Sequence, residues 1–227
     1  MKILSLDTSS EICSVAILED NKIIKYFETN DSNTHSVNLM PLVDKILNET
    51  NLTLDNIDLF ACSKGPGSFT GIRIGVSTIK AFCDVSKKTS IGVSSLKALT
   101  YNVENAENNL VCSLIDAKHE NIYCGIFKQN EDNSYSKIYD YFFDNIANTI
   151  NKLKNLNKKI FFVGNAGLLY KDMIQSEINN SVILNNENCG AVNIGIAAFY
   201  KFKQGNISSI SPLYLKKSSA EEMIEKK

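Results

Sequence analysis

Arginine and histidine are nearly absent. The 227 residues hold one arginine, Arg73, and two histidines, His35 and His119. The histidines lie 84 positions apart, in opposite halves of the chain. That excludes the metal site in which two imidazoles share one helix face, and with it the His pair and water-activating glutamate of a zinc protease. None of the six cysteines (13, 62, 83, 112, 124 and 189) forms a C-x-x-C pair. Cys13, Cys62, Cys112 and Cys124 fall in apolar, strand-like runs where a thiol behaves as a small hydrophobe. Reduced core thiols and a cytoplasmic, reducing compartment are therefore expected. No glycine loop leads into G-K-[ST] at Walker spacing. The opening apolar stretch stops at Asp7, too soon for a signal peptide or a membrane span. Net charge is −1, so there is no basic excess with which to grip a phosphate backbone unaided.

What is present describes an ordinary folded protein, with 44% hydrophobic and 22% charged residues. The length suits two lobes of about 100 residues each. Apolar runs at 2–7, 12–18 and 22–28 read as strands, with Asp20-Asn21 turning the last two. In Thr34–Glu49, Leu39, Leu42, Val43, Ile46 and Leu47 share a helical face, and Pro41 is expected to kink it or tighten its first turns. A strand at 57–63 leads through KGPGSFTG into a helix from about Gly71 to Val85. A short strand at 90–93 and a helix capped by Ser94 or Ser95 follow.

At Asn108-Asn109 the pattern restarts. LVCSLID (110–116) repeats the apolar run ending in aspartate at 3–7, so that Asp116 matches Asp7 at an offset of 109. The same offset sets Cys13, Val15 and Ile17 against Ile122, Cys124 and Ile126. IFFVGNAG (160–167) echoes LFACSKGPG (59–67). The halves read as two copies of one β-β-β-α-β-α plan, an N-terminal lobe at 1–104 and a C-terminal lobe at 105–227. The second copy closes with an amphipathic stretch at 192–202, expected to return to the first lobe, and a charged tail (216–227) expected to fray. Two α/β lobes that each open with strand, aspartate and hairpin resemble the actin-like ATPase fold. In that fold the aspartate-bearing turns face the interlobe cleft.

Two stretches could carry chemistry. Asp7-Thr8-Ser9 can present a carboxylate and backbone N–H groups to a phosphate or its metal, or simply close a hairpin. In Lys64–Gly75, Gly65 and Gly67 permit a tight backbone, Ser68 or Thr70 can cap the helix, and a helix N-terminus attracts anions. Arg73 stays arginine in a chain that otherwise uses lysine, which points to a fork-shaped contact. Gly71, Gly75, Thr78 and Phe82 share a helix face flat enough for another helix. Two glycines inside a helix cost about 1 kcal/mol each against alanine, so close packing must offset them. That packing is either against a partner or against the chain's own sheet.

KGPGSFTGIRIGVSTIKAF is very similar to the G-P-G-S-F-T-G-x-R signature of the TsaB (YeaZ) family. MKILSLDTSS, THSVNLMPLVDKIL, IGVSSLKAL, LIDAKHENIY and PLYLKK agree with that family in order and spacing across nearly the whole chain. Lys118 and Lys216 stand where the family usually has arginine. The resemblance implies a subunit of the machinery that makes threonylcarbamoyladenosine in tRNA, related to the catalytic subunit TsaD but not itself catalytic. TsaD carries an H-x-x-x-H metal pair just after a strand like IGV; here those places hold Ser95 and Leu99, so no metal site and no catalytic residue are expected. The implied partners are TsaD and, through the complex, a TsaE-type ATPase. The chain alone is expected to pair as a homodimer, to meet tRNA only indirectly and to hold no cofactor, any nucleotide lying at the interface with TsaD. The alternative is a small-molecule kinase or ATPase of the same fold. The expected cleft residues are Asp7, Thr8, Ser9, Gly65, Gly67, Ser68, Thr70, Arg73 and Asp116, with Asp7 facing Asp116 and Lys118. The expected partner surface is Leu39, Met40, Val43 and Leu47 with Gly71, Gly75, Thr78 and Phe82.

Overall fold

Strand alternation builds the first sheet. β1 (Lys2–Asp7), β2 (Cys13–Glu19), β3 (Lys22–Thr29), β4 (Leu59–Ser63) and β5 (Thr89–Val93) lie in the order β3-β2-β1-β4-β5. The first three pair antiparallel, while β1, β4 and β5 run parallel. The computed structural model describes residues 1–30, 34–185, 190–207 and 210–216. Cys189 and, beyond Lys216, the tail expected to fray lie outside the described residues.

Leu4, Leu6, Val15, Ile17, Phe60 and Cys62 point to the outer face of this sheet. Two helices cover them. α1 (His35–Glu49) buries Leu39, Val43 and Ile46, spaced to fall on one stripe. α2 (Phe69–Ser86) buries Ile72, Val76, Ile79 and Phe82. Each such side chain contributes about 1.5–3 kcal/mol by leaving water. Ser68 caps α2 by accepting from the Gly71 N–H, and left-handed Lys87 ends it, its N–H bonding the Cys83 carbonyl. On the inner face, Ile3, Ala16, Leu18, Ala61, Ile91 and Val93 meet α3 (Ser95–Leu99) and α7 (Gly190–Lys203).

The second sheet contains β6 (Leu110–Asp116), β7 (Asn121–Gln129), β8 (Tyr135–Lys137), β9 (Phe142–Asn145), β10 (Ile160–Val163) and β11 (Ser181–Ile183). Its order is β11-β10-β6-β7-β8, with β9 also on β7. Its outer face packs under α4 (Ile146–Leu153), α5 (Asn165–Leu169) and α6 (Lys171–Glu177) through Cys112, Leu114, Ile150, Phe162 and Ile174. Its inner face gives Val111, Phe127 and Val163 to the core shared with the first sheet. Among the described residues no helix is long and apolar enough to cross a membrane.

The two hairpins correct the repeat. Val15 pairs with Leu6, and both face the outer core of their sheet. Cys124 pairs with Leu114, and these also face outward. The offset is thus 109 in the second strand of each hairpin but 108 in the first. The extra residue is taken up in the turn, where Lys118, His119 and Glu120 are all left-handed, with φ of 67, 54 and 59°. For side chains with a Cβ that conformation costs roughly 1–2 kcal/mol per residue. The counterpart of Asp7 is therefore Ile115. Asp7 shares the inward face of Ile3 and Ser5, whereas Asp116 shares the outward face of Leu114. The expected facing of Asp7 with Asp116 and Lys118 is overturned by this one-residue slip.

Candidate functional site

The end of β1 enters a closed circuit of hydroxyls. Asp7 is 1% exposed. Its Oδ1 accepts from the Ser9 N–H at 2.9 Å and from Ser9 Oγ at 2.7 Å. Ser9 Oγ accepts from Ser95 Oγ at 3.2 Å, and Ser95 Oγ lies 2.7 Å from Ser63 Oγ. Ser63 Oγ in turn accepts from the Gly65 N–H. A hydroxyl has one proton to give. With Ser95 donating to Ser9 and Ser9 to Asp7, Ser63 donates to Ser95, and every proton in the row points toward the carboxylate. Such chains polarise one another and hold a single arrangement.

The glycine loop is fitted against that turn. A Cβ on Gly67 would sit 2.3 Å from the Ser9 carbonyl oxygen, and one on Gly71 1.8 Å from that of Thr8. On Gly75 it would be 2.7 Å from Thr8 Oγ1. Ser68 N–H donates to the Ser9 carbonyl, and Thr8 Oγ1 donates to the Gly71 carbonyl at 2.7 Å. His35, the first residue of α1, donates from Nε2 to the Ser10 carbonyl at 2.8 Å, tying that helix to the same turn. The glycine face of α2 thus packs inward on the chain's own β1 turn. Gly71, Gly75 and Phe82 are buried there, as are Leu39 and Val43 under α1, while Leu47 and Thr78 are half-buried. These five are packed against the chain's own sheet and turn. Of the expected partner set only Met40 is well exposed, at 49%.

Arg73 makes a planar contact within the chain. Its guanidinium lies 4.0 Å from the Phe69 ring centre, and Nε donates to Tyr214 Oη at 3.0 Å. Phe69 and Tyr214 stack at 4.8 Å. A flat cation suits such a stack. Tyr214 belongs to a segment, 210–216, laid across the loop. Its Leu213 N–H donates to the Lys64 carbonyl at 2.7 Å, and Ile210 enters the outer core. A Cβ on Gly65 would meet the Leu213 carbonyl oxygen at 2.8 Å. Thr70 is exposed on the first turn of α2.

Asp116 is engaged locally. Its carboxylate accepts from the Lys118 N–H at 3.0 Å and pairs with Lys118 Nζ at 3.3 Å. Ser95 and Leu99, at the places of the absent imidazole pair, are both buried, and Leu99 packs on Gly164 of the second lobe. The five described cysteines are free, and Cys13 is pushed up to about 11 by burial and the nearby Asp7 charge. Ser63 and Tyr214 escaped the sequence reading. Alternation with Ala61 places Ser63 on the inward face, a signal available beforehand; nothing local announces Tyr214.

Two parallel-cored sheets meeting over α3 and α7, with an aspartate turn and glycine loop at the junction, define a two-lobed α/β protein of the actin-like type. The family model described as "TsaD: tRNA N6-adenosine threonylcarbamoyltransferase" matches residues 27–224. The chain is 28% identical over 177 residues to "tRNA threonylcarbamoyladenosine biosynthesis protein TsaB" of Bacillus subtilis (strain 168), covering 77% of this chain and 76% of that protein. To the protein of the same name from Escherichia coli (strain K12) it is 36% identical over 99 residues, 44% of this chain and 42% of that one. The solved structure "YeaZ from Pseudomonas aeruginosa" is similar with a TM-score of 0.78 at 23% identity, covering 94% of this chain and 99% of that one. The chain belongs to the family that this model describes and, within it, to the TsaB (YeaZ) group.

Proposed function

We propose that this chain takes part in threonylcarbamoyladenosine synthesis as a non-catalytic subunit that pairs with TsaD and sustains its activity. The observation that carries this reading is the fate of Ser95 and Leu99. Where the catalytic relative is expected to place two imidazoles, this chain has a hydroxyl consumed by Ser9 and Ser63 and an isobutyl group in the interlobe core. Neither side chain is a useful metal donor. Ile115 at the place of a second cleft carboxylate weighs against the kinase alternative.

The partner surface is read from what α1 and α2 leave uncovered. Val37 is 58% exposed on α1 beside Met40, and Val85 is 81% exposed at the far end of α2. Apolar side chains held out by rigid helices are the material of an interface core. The same surface serves for self-pairing when TsaD is missing. A mixture of TsaD, the TsaE-type ATPase, the adenylate-forming enzyme, threonine, bicarbonate, ATP and tRNA tests the proposal. Modified adenosine is expected only when this chain is added, and none from this chain without TsaD. Full modification with the chain omitted would overturn it.

A further inference from the structure

One exposed stripe of α2 carries charges that the chain itself does not answer. Arg73, Ser77, Lys80 and Asp84 all face solvent. Steps of four, three and four residues keep them on one line of a helix. Among the described residues neither Arg73 nor Asp84 makes an ion pair. The Arg73 guanidinium is nonetheless held in place. Its Cζ lies 4.0 Å from the Phe69 ring centre, and its Nε donates to Tyr214 Oη at 3.0 Å. Among the described residues its two Nη groups are left to bond outward. They form the fork that takes a carboxylate by two parallel bonds. A side chain ordered in advance loses little freedom when such a bond forms.

The stripe is complementary to itself when reversed. Asp84 follows Arg73 by about three turns of helix, or about 16 Å. Let a second α2 lie antiparallel against the first, about a two-fold axis level with Thr78 and Ile79. Arg73 then meets Asp84 of the second copy, and Asp84 meets its Arg73. Ser77 stands level with Lys80 of the second copy, a hydroxyl against an ammonium. One rotation satisfies both ends, as an isologous contact requires. A parallel pairing would set Arg73 on Arg73 and Asp84 on Asp84, where like charges repel. A nucleic-acid backbone fits worse, because it needs a row of cations and Asp84 lies in the same stripe.

We propose that two copies of this chain pair through antiparallel α2 helices, with Arg73 of each gripping Asp84 of the other. This fixes the register of the self-pairing read above and rests on it. Sedimentation of the whole chain at low salt is the measurement, with circular dichroism to show that each variant folds. Arg73→Glu and Asp84→Lys each set like charges together at both ends, and each is expected to weaken the dimer about tenfold. Asp84→Lys leaves the Arg73 stack untouched, so it decides the matter if Arg73→Glu disturbs the fold. An equal mixture of the two variants is expected to restore the dimer, because in the mixed pair each end again sets a cation against a carboxylate. Added salt is expected to loosen the parent dimer and narrow its lead over the variants. A parent that stays monomeric overturns the self-pairing and this register together, and leaves the pairing with TsaD standing. A parent that dimerises, beside variants that dimerise as well or a mixture that does not recover, overturns the register alone. Variants that self-pair like the parent but lose TsaD also overturn it, and make a carboxylate of that subunit the occupant.

Discussion

The first hairpins of the two lobes share a plan and differ by one residue. In the first lobe the chain leaves β1 at Asp7, turns through buried Thr8 and Ser9, and is clamped by the glycines of α2. In the second it leaves β6 at Asp116 and turns through three exposed left-handed residues whose carbonyls accept from Asn121 and from the Ile146 N–H. The one-residue difference in length sets the second aspartate on the other face of its sheet. The lesson is that a motif repeated in sequence need not be repeated in space when the repeat unit has a period of two.

The clamp is the place to break that contrast. Gly71→Ala puts a methyl into the Thr8 carbonyl and is expected to cost about 3 kcal/mol, as overpacking does. Gly167→Ala, in α5, meets Phe162 at ordinary distances of 3.6 and 3.7 Å, so its gain in helix propensity should leave stability unchanged or slightly raised. Urea unfolding of both variants decides; equal losses would mean that the two lobes are clamped alike. The carboxylates come next. Asp7→Ala strands the Ser9 donors in a buried site and is expected to cost about 2 kcal/mol. Asp116→Ala loses a turn contact and an ion pair with exposed Lys118, worth about 1 kcal/mol. Thermal melting of the pair ranks them, and the reverse order would place the better-satisfied carboxylate in the second lobe.

A smaller effect sharpens the view of the second turn. His119→Gly removes a Cβ from a left-handed position and is expected to stabilise by up to about 1 kcal/mol. A loss in unfolding free energy would show that the imidazole makes a contact outweighing the strain. The smallest effect concerns pH. Lys201 titrates near 8 when folded and at 10.5 when exposed, so the unfolded chain binds more protons between those values. Stability linked to this group is therefore fully present above pH 10.5 and lost as pH falls through 8. A melting series in phosphate-free buffer should show the parent gaining on Lys201→Met across that window. Parallel curves would mean that Lys201 keeps its ordinary affinity for protons.

Long periodic elements were legible before the coordinates. The helix expected at 34–49 runs His35–Glu49, and that at 71–85 runs Phe69–Ser86, because apolar spacing and Ser68 mark them. What sequence could not rank was the destination of a face. Gly71 and Gly75 announced close approach, but only the fold shows that the approaching group is the Thr8 turn. Arg73 announced a planar contact, yet its partner Tyr214 lies 141 positions away. The slip between Asp7 and Asp116 was hidden because the match in β2 and β7 is gapless, and strand register depends on a turn whose strain no local propensity reveals.

The row of hydroxyls ending at Asp7 also limits what positions 95 and 99 can become. Two imidazoles at positions 95 and 99 would need open space there. In this chain Ser95 is a link between Ser63 and Ser9, and Leu99 rests on Gly164. Restoring Ser95→His and Leu99→His would evict a hydrogen-bonded link and push a ring into the seam between lobes before any metal could be held. The two positions are part of the architecture, so placing a ring at either would require rebuilding the neighbours first.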